Sequence, residues 1–380
     1  MTYSYDCQNK KRDLTDVLST IVSGEPRFIS LFHKVASATN QKHEWLEDQI
    51  TGRSVLVTGA VSALACPMSA ADLAKLTVGT LVTVKGDSAL FRVVSKDSAK
   101  ATFELVAANG SSKTTPAEND VLNIVSTPIQ EGSSNGDGEE THRTVGTAFN
   151  CTQIFRKEIV LTGSMIATNV YGNIDNSITR QTAFAMQELT RDLNRVALFG
   201  RRVEATAAVK GEAGGLYFFG TQPGCLSVNA NGNILDSSII NDGAQAILGE
   251  GGEATTILCS PGQARVISNE YRDKLQIVRA DTTRGAYVAV VVNEINGRTM
   301  TIMADPDMPD TDVWVIDNTG FGLSSLKGRG ITDSDATPSG FDGIKRVALG
   351  ELTFEFKNAK QRLCRISNVK GSAEALASLK

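Results

Sequence analysis

The sequence predicts an α+β protein made of more than one structural unit, and three observations carry that expectation. The chain has 380 residues, past the size at which one hydrophobic core serves the whole chain. Residues 53–130 are a series of short β-rich runs, most of them separated by Gly or Asx-containing stretches. Residues 175–202 carry one uninterrupted amphipathic helical pattern.

Residues 1–50 read as a partly extended arm with short helical stretches. Within DLTDVLSTIVSGEP, Leu14, Val17, Leu18 and Ile21 repeat at helical spacing until Gly24 and Pro26 stop the pattern. FISLFHKVASA and KHEWLEDQ follow. Residues 51–145 hold RSVLVTGAV, GTLVTVKG, ALFRVVSKD, ATFELVAANG and DVLNIVSTP, five runs that predict a small barrel or sandwich with its own core. The polar, Gly-rich EGSSNGDGEETH at 131–142 reads as a mobile connector.

The long helix comes next, within 146–224. Ile178, Ala185, Met186, Leu189, Leu193, Val196 and Ala197 form its apolar stripe. Glu188 with Arg191, and Asp192 with Arg195, are spaced to pair on the opposite side. Arg201 and Arg202 suit the negative end of the helix dipole. Residues 225–325 alternate helix and strand. Ser237 to Leu248 predicts a helix, TTILC a buried strand, and Ser260-Pro261 a capped helix start. AYVAVVVNEI and RTMTIMAD flank Asn296-Gly297, a strong hairpin signal, before the strand DVWVID. In the last section, 326–380, ELTFEFKN and QRLCRIS read as two paired strands.

Composition excludes several classes. Hydrophobic content of 41% with 21% charge is that of a globular protein, not a disordered one. A net charge of −4 argues against a dedicated nucleic-acid binder. From Pro338 onward there are eight Lys or Arg against four acids, so this tail is +4 and the rest of the chain −8. Such a run is either a solvated strand face or a basic strip that meets an acidic neighbour or DNA. Six cysteines, all far apart, and three histidines make a Cys/His metal cluster hard to assemble. No apolar run reaches the roughly 20 residues that span a bilayer. No signal peptide precedes the polar start MTYSYDCQNKKRD. The reading is therefore a chain made in a reducing cytoplasm, with free and mostly buried thiols.

No catalytic signature is present: neither a phosphate-binding loop, a dinucleotide fingerprint, a nucleophile elbow nor a zinc-protease helix. DPDMPDTD sets Asp305, Asp307, Asp310 and Asp312 close enough for calcium chemistry, but its two prolines and flanking strands read first as a tight turn. His43-Glu44 lacks the second histidine of a metal site. Cys151 has no histidine base nearer than His142. Phe91 and Phe103 sit in alternating strands, where core packing rather than base stacking is the default.

An ordered set of segments then carries a resemblance. DLTDVLSTIVSGEPRFISLF is followed by KHEWLEDQI, a β insert ending in VLNIVSTPIQEGSS, FNCTQIFRKEIVLTGS, a helix ending in ELTRDLNRVALFGRR, and GGLYFF. Over residues 13–367 this resembles the tailed-bacteriophage major capsid (major head) proteins of the Hong Kong 97-type fold. Its best-matched pieces are HEWLED (43–48), NCTQIF (150–155) and RDLNRVALFGRR (191–202). Cys151 and Asn194 depart from the family pattern, which has tyrosine and an acid there.

The resemblance implies a shell subunit with no catalytic, cofactor or metal site. Residues 1–50 would be an arm crossing a neighbour, 51–145 an extended loop with an inserted small β domain, and 146–224 a peripheral domain around a spine helix. Residues 225–325 would be an axial domain, and 326–380 a return to the peripheral domain. Copies would assemble as pentamers and hexamers of an icosahedral or prolate head around double-stranded DNA. Portal, scaffold and decoration proteins are the implied partners, DNA is touched only weakly, and no membrane is involved. The virion is the implied location, with assembly in the host cytoplasm. Trp45, Glu44, Leu46, Phe28 and Phe32 are the candidate inter-subunit contacts, with Trp45 first because large aromatics often anchor interfaces. Two other classes remain at this stage. Another repetitive phage component, a tail tube or decoration protein, would form tubes or coats rather than closed shells. A nucleic-acid-binding β-barrel protein would show salt-dependent affinity.

Overall fold

A computed structural model describes residues 26–47, 54–108, 113–129, 131, 145–168, 178–270 and 290–378. The stripe at Leu14–Ile21, Cys7, nearly all of the 131–142 connector and the first half of the AYVAVVVNEI run lie outside the described residues. The chain divides into two compact units, residues 48–146 and the remainder.

The unit at 48–146 is a six-stranded sheet. Its strand order is Ser54–Leu56, Val121–Ser126, Leu81–Val84, Leu90–Lys96, Lys100–Ala107, Ala65–Pro67. The neighbours in that order pair antiparallel. Just past the two end strands, Val57 and Met68 form an antiparallel bridge, and the Thr58 amide donates to the Pro67 carbonyl at 2.9 Å. The sheet therefore curls towards closure around its own core, in which Val55, Leu76, Val82, Phe91, Phe103 and Leu122 are all buried. Alternation in the strands produces this core directly: Phe91 and Val93 point inward while Arg92 and Val94 point out. The sixth strand, Ala65–Pro67, is not visible in the sequence pattern. Ala63 and Leu64 enter it with positive φ, a conformation that neither residue type advertises.

Two large sheets and a two-stranded pairing make up the strands described in the larger unit. One runs His33–Lys34, Phe321–Ser325, Gly343–Phe356, Gln153–Thr162, with Thr332–Asp335 also on the long strand. Gly343–Leu352 pairs with Gln153–Thr162 over ten consecutive antiparallel residues. The helix Ile178–Phe199 buries Ala185, Leu189, Leu193 and Ala197 against this unit's core, as its stripe predicts. Three of its charged residues reach groups outside the helix. Lys157 lies 2.6 Å from Asp192 and 3.8 Å from Glu188, and Arg195 reaches Asp307 at 3.0 Å.

The helix ends at Phe199, not Arg202, because Gly200 passes so close to the Ala213 carbonyl that no Cβ would fit. The Gly215 amide then donates to the Gly200 carbonyl at 2.8 Å, which turns the chain back on itself. Arg201 is held by Glu212 at 2.6 Å, and Arg202 stacks on Phe149 at 3.9 Å.

The second sheet runs Leu226–Asn229, Leu363–Ser367, Val313–Ile316, Thr256–Cys259, Thr299–Ala304, Val290–Val292. Helix Ser237–Gly249 packs on it, and Ser260 Oγ caps helix Pro261–Glu270 by accepting the Gln263 amide at 3.2 Å. The Asn-Gly hairpin forms as expected, with Gly297 at φ 70.

One expectation is corrected here. ELTFEFKN and QRLCRIS do not pair with each other. The first ends the long strand of one sheet and the second is a central strand of the other. Asn358 in the left-handed conformation and the short helix Ala359–Arg362 carry the chain across. The basic tail is largely neutralised within the chain. Lys345, Arg346, Lys357, Arg362 and Arg365 face Glu158, Asp333, Glu355, Asp317 and Asp312.

Candidate functional site

The strand Lys42–Glu47 pairs with Gly146–Cys151 and presents its residues alternately. His43, Trp45 and Glu47 turn inward. His43 Nε2 lies 2.6 Å from Glu355 Oε1, whose other oxygen is 2.9 Å from Lys357 Nζ. Burial works against charge on Glu355, yet the hydrogen bonds from His43 and Lys357 outweigh it and hold the carboxyl below its ordinary range. Trp45 is 6% exposed, its ring centroid 6.1 Å from that of Phe219. Its indole N–H donates to Glu47 Oε1 at 2.8 Å, and the same oxygen accepts the Asn358 amide at 2.8 Å.

Phe28 and Phe32 are also drawn inside. Phe32 stacks on Phe321 at 5.1 Å and meets Phe354 and Phe356 at 5.3 and 5.5 Å, while Phe28 is fully buried edge-on to Phe32. Of the five candidate contacts, Phe28, Phe32 and Trp45 thus have most of their aromatic surface covered by their own chain. Glu44 and Leu46 face outward. Lys42 pairs with Glu44 at 2.6 Å, and Leu46 is 71% exposed, the most exposed large apolar side chain among the described residues.

The aspartates of DPDMPDTD are pins rather than metal ligands. Asp305 is fully buried and accepts the Arg27 and Phe28 amides at 3.2 and 3.0 Å. Asp307 takes Arg195, and Asp310 takes the Ser260 hydroxyl and the Ser372 amide. Asp312 takes the Tyr217 hydroxyl and Arg365. Among the described residues no three His, Cys, Asp or Glu side chains come together to hold a metal. Sequence reasoning saw this loop as a turn and missed its second job, fastening Arg27 and Phe28. The closely spaced acids were the available signal.

Among the described residues Cys66, Cys151, Cys259 and Cys364 are buried and Cys225 is half-buried. Burial pushes Cys66 up to about 11, and Cys259 and Cys364 up to about 12. Cys151 is buried as well and its thiol is raised.

A family model described as SU10 major capsid protein matches residues 1–370. The chain belongs to that family. No curated protein sequence matches it. Two solved capsids share its fold at low identity. One is the capsid asymmetric unit of cyanophage A-1(L), at TM-score 0.55 and 12% identity, over 97% of this chain and 98% of that one. The other is the capsid of a native GTA particle, at TM-score 0.52 and 8% identity, over 96% and 97%. This is a major capsid protein with the Hong Kong 97-type tailed-phage capsid fold. Its work is structural: copies of it assemble into the shell of a phage particle, and its place is the virion.

Proposed function

We propose that this capsid protein closes its shell from pentamers and hexamers around double-stranded DNA, and that the outward face of Lys42–Glu47 is one of its contacts with a neighbouring subunit. Leu46 carries the reading. A leucine left 71% exposed on a strand whose other face is locked down by His43, Trp45 and Glu47 has a fixed position and an uncovered apolar surface. Covering it would contribute roughly 1.5–3 kcal/mol per contact, and a closed shell repeats each contact many times. Glu44 beside it supplies the polar rim that such interfaces carry.

In this reading residues 1–50 are the arm and 51–145 the extended loop with its inserted β domain. Residues 146–224 and 326–380 make the peripheral domain, and 225–325 the axial domain. Assembly takes place in the host cytoplasm, with portal, scaffold and decoration proteins as partners. The packaged DNA meets only weak contact, because most of the basic tail is already paired within the chain. Electron microscopy of the purified, expressed chain is the test. Closed shells with five- and six-fold clusters are expected, and tubes or permanently dispersed monomers would sink the reading.

A further inference from the structure

At the C-terminal end of the helix Ile178–Phe199 the larger unit carries a cleft of about 680 Å³. Its apolar wall is Ile154, Val196 and Phe199, of which Ile154 and Phe199 remain 54% and 45% exposed. Phe199 is held in place by stacking on Tyr217 at 5.1 Å. The charged lining is two cations, Arg201 and Lys210, against two acids, Glu212 and Glu351. Arg201 meets Glu212 at 2.6 Å, while Glu351 accepts the Thr152 hydroxyl at 2.7 Å and pairs with Arg329 at 2.8 Å. A cleft that is apolar on one wall and balanced in charge on the other suits an apolar plug better than an ion.

The same chain carries a plug of that kind. Leu46 is 71% exposed, and the charged residues on its face of the strand, Lys42 and Glu44, meet at 2.6 Å and cancel. The strand beneath it is fixed, because His43 is tied to Glu355 and Glu47 to the Asn358 amide. Leu46 therefore projects with little backbone freedom left to lose on binding. It is out of reach of the cleft in its own subunit. Gln41 lines that cleft and immediately precedes the strand, and five extended residues carry Leu46 roughly 16 Å away from it. The plug must come from a second copy, and every copy offers both halves.

Building on the inter-subunit contact proposed for Lys42–Glu47, we propose that this cleft receives Leu46 of a neighbouring copy in the shell. The leucine lies against Ile154, Val196 and Phe199, and the Lys42–Glu44 pair meets the charged rim. Because plug and cleft are different patches, one subunit can hold a neighbour on either side.

Photo-crosslinking on assembled particles of the full chain tests it. A benzophenone amino acid in place of half-exposed Phe199 is expected to capture residues 42–47. In particles built from isotopically light and heavy chains, the crosslinked pairs should include mixed labels. Capture of another segment of a second copy, or of the same chain only, overturns the proposal. A cysteine pair gives a readout without the aromatic probe. Leu46→Cys together with Ile154→Cys, treated with a mild oxidant, should give covalent dimers and higher multimers on a non-reducing gel, which neither single variant gives. Intact shells without those bands overturn the proposal equally. The two readings fail differently. Parent-level shell yield with Leu46→Asp removes the contact itself. Loss of shells with Leu46→Asp, combined with capture of another segment at position 199, leaves that contact standing and takes away only the cleft.

Discussion

Asn194 and Asp305 together hold the entry of the N-terminal segment into the core. Asn194 Nδ2 donates to Asp305 Oδ2 at 3.1 Å, while Asn194 Oδ1 accepts the Ile29 amide at 3.0 Å. Asp305 Oδ2 also accepts the amides of Arg27 and Phe28. Three successive backbone N–H groups at the start of the Phe28–Leu31 turn are thus satisfied by two side chains distant in sequence. The amide at 194 is required by this arrangement, because one side chain must both donate and accept.

Asn194→Asp should therefore destabilise the subunit. It removes the donor to a fully buried carboxylate and sets a like charge beside it. Loss of such a buried bond costs about 1–3 kcal/mol. Asp305→Ala should cost at least as much, since the Arg27 and Phe28 amides both lose their acceptor. Urea denaturation of the unassembled subunit measures both, and a midpoint equal to that of the parent chain would refute the pinning role.

Trp45 and Leu46 are adjacent, and their substitutions should separate folding from assembly. Trp45→Ala empties a site that is 94% covered and leaves Glu47 without the indole donor. The expected cost is about 3–5 kcal/mol of subunit stability. Leu46→Asp alters an exposed side chain, so subunit stability should change by no more than about 0.5 kcal/mol while the yield of closed shells falls steeply. Denaturation midpoints together with particle counts in micrographs decide the matter. Parent-level shell yield with Leu46→Asp would remove Leu46 from the assembly surface.

These contrasts show where the sequence was informative. The helix stripe through Leu189, Leu193 and Ala197, the Asn296-Gly297 hairpin and the alternation around Phe91 were legible, because each is a local pattern with a fixed period or turn chemistry. Trp45 and Leu46 face opposite ways because Lys42–Glu47 is a strand, which the sequence reading did not assign. Which of the two faces is covered was not legible, because it depends on Phe219 and Glu355, distant in the chain. The separation of ELTFEF from RLCRIS into different sheets turned on one left-handed residue, Asn358, and on partners that no short window contains. Long-range pins such as Asp305 share that limit.

Glu355 gives the stability a pH dependence of known sign. Its folded-state carboxyl lies below the ordinary 4.5, because hydrogen bonds from His43 and Lys357 outweigh burial. A depressed acid stabilises the fold above its unfolded value, and that contribution disappears as pH falls through the folded value. Stability should therefore decline on the acid side, from about pH 5 downward, and Glu355→Gln should flatten this decline. Urea midpoints measured across the acid range for both proteins provide the check. A parent-like slope in the variant would assign the decline to other carboxylates, of which Asp310 is also depressed.

The β unit at 48–146 should fold alone. It has its own core of buried residues, and the Val57–Met68 bridge draws its end strands together. Expressed by itself it is expected to unfold in one cooperative transition by circular dichroism. Phe91 is fully buried in that core, so Phe91→Ala should cost about 3–5 kcal/mol, a large part of the roughly 5–15 kcal/mol that a domain has in total. The chain's two tryptophans, Trp45 and Trp314, both belong to the larger unit. In the full chain Phe91→Ala should therefore lower the transition seen by circular dichroism in the β unit and leave the tryptophan-emission midpoint where it was. A parallel fall in both signals would mean that the two units unfold as one, and that the smaller core is not autonomous.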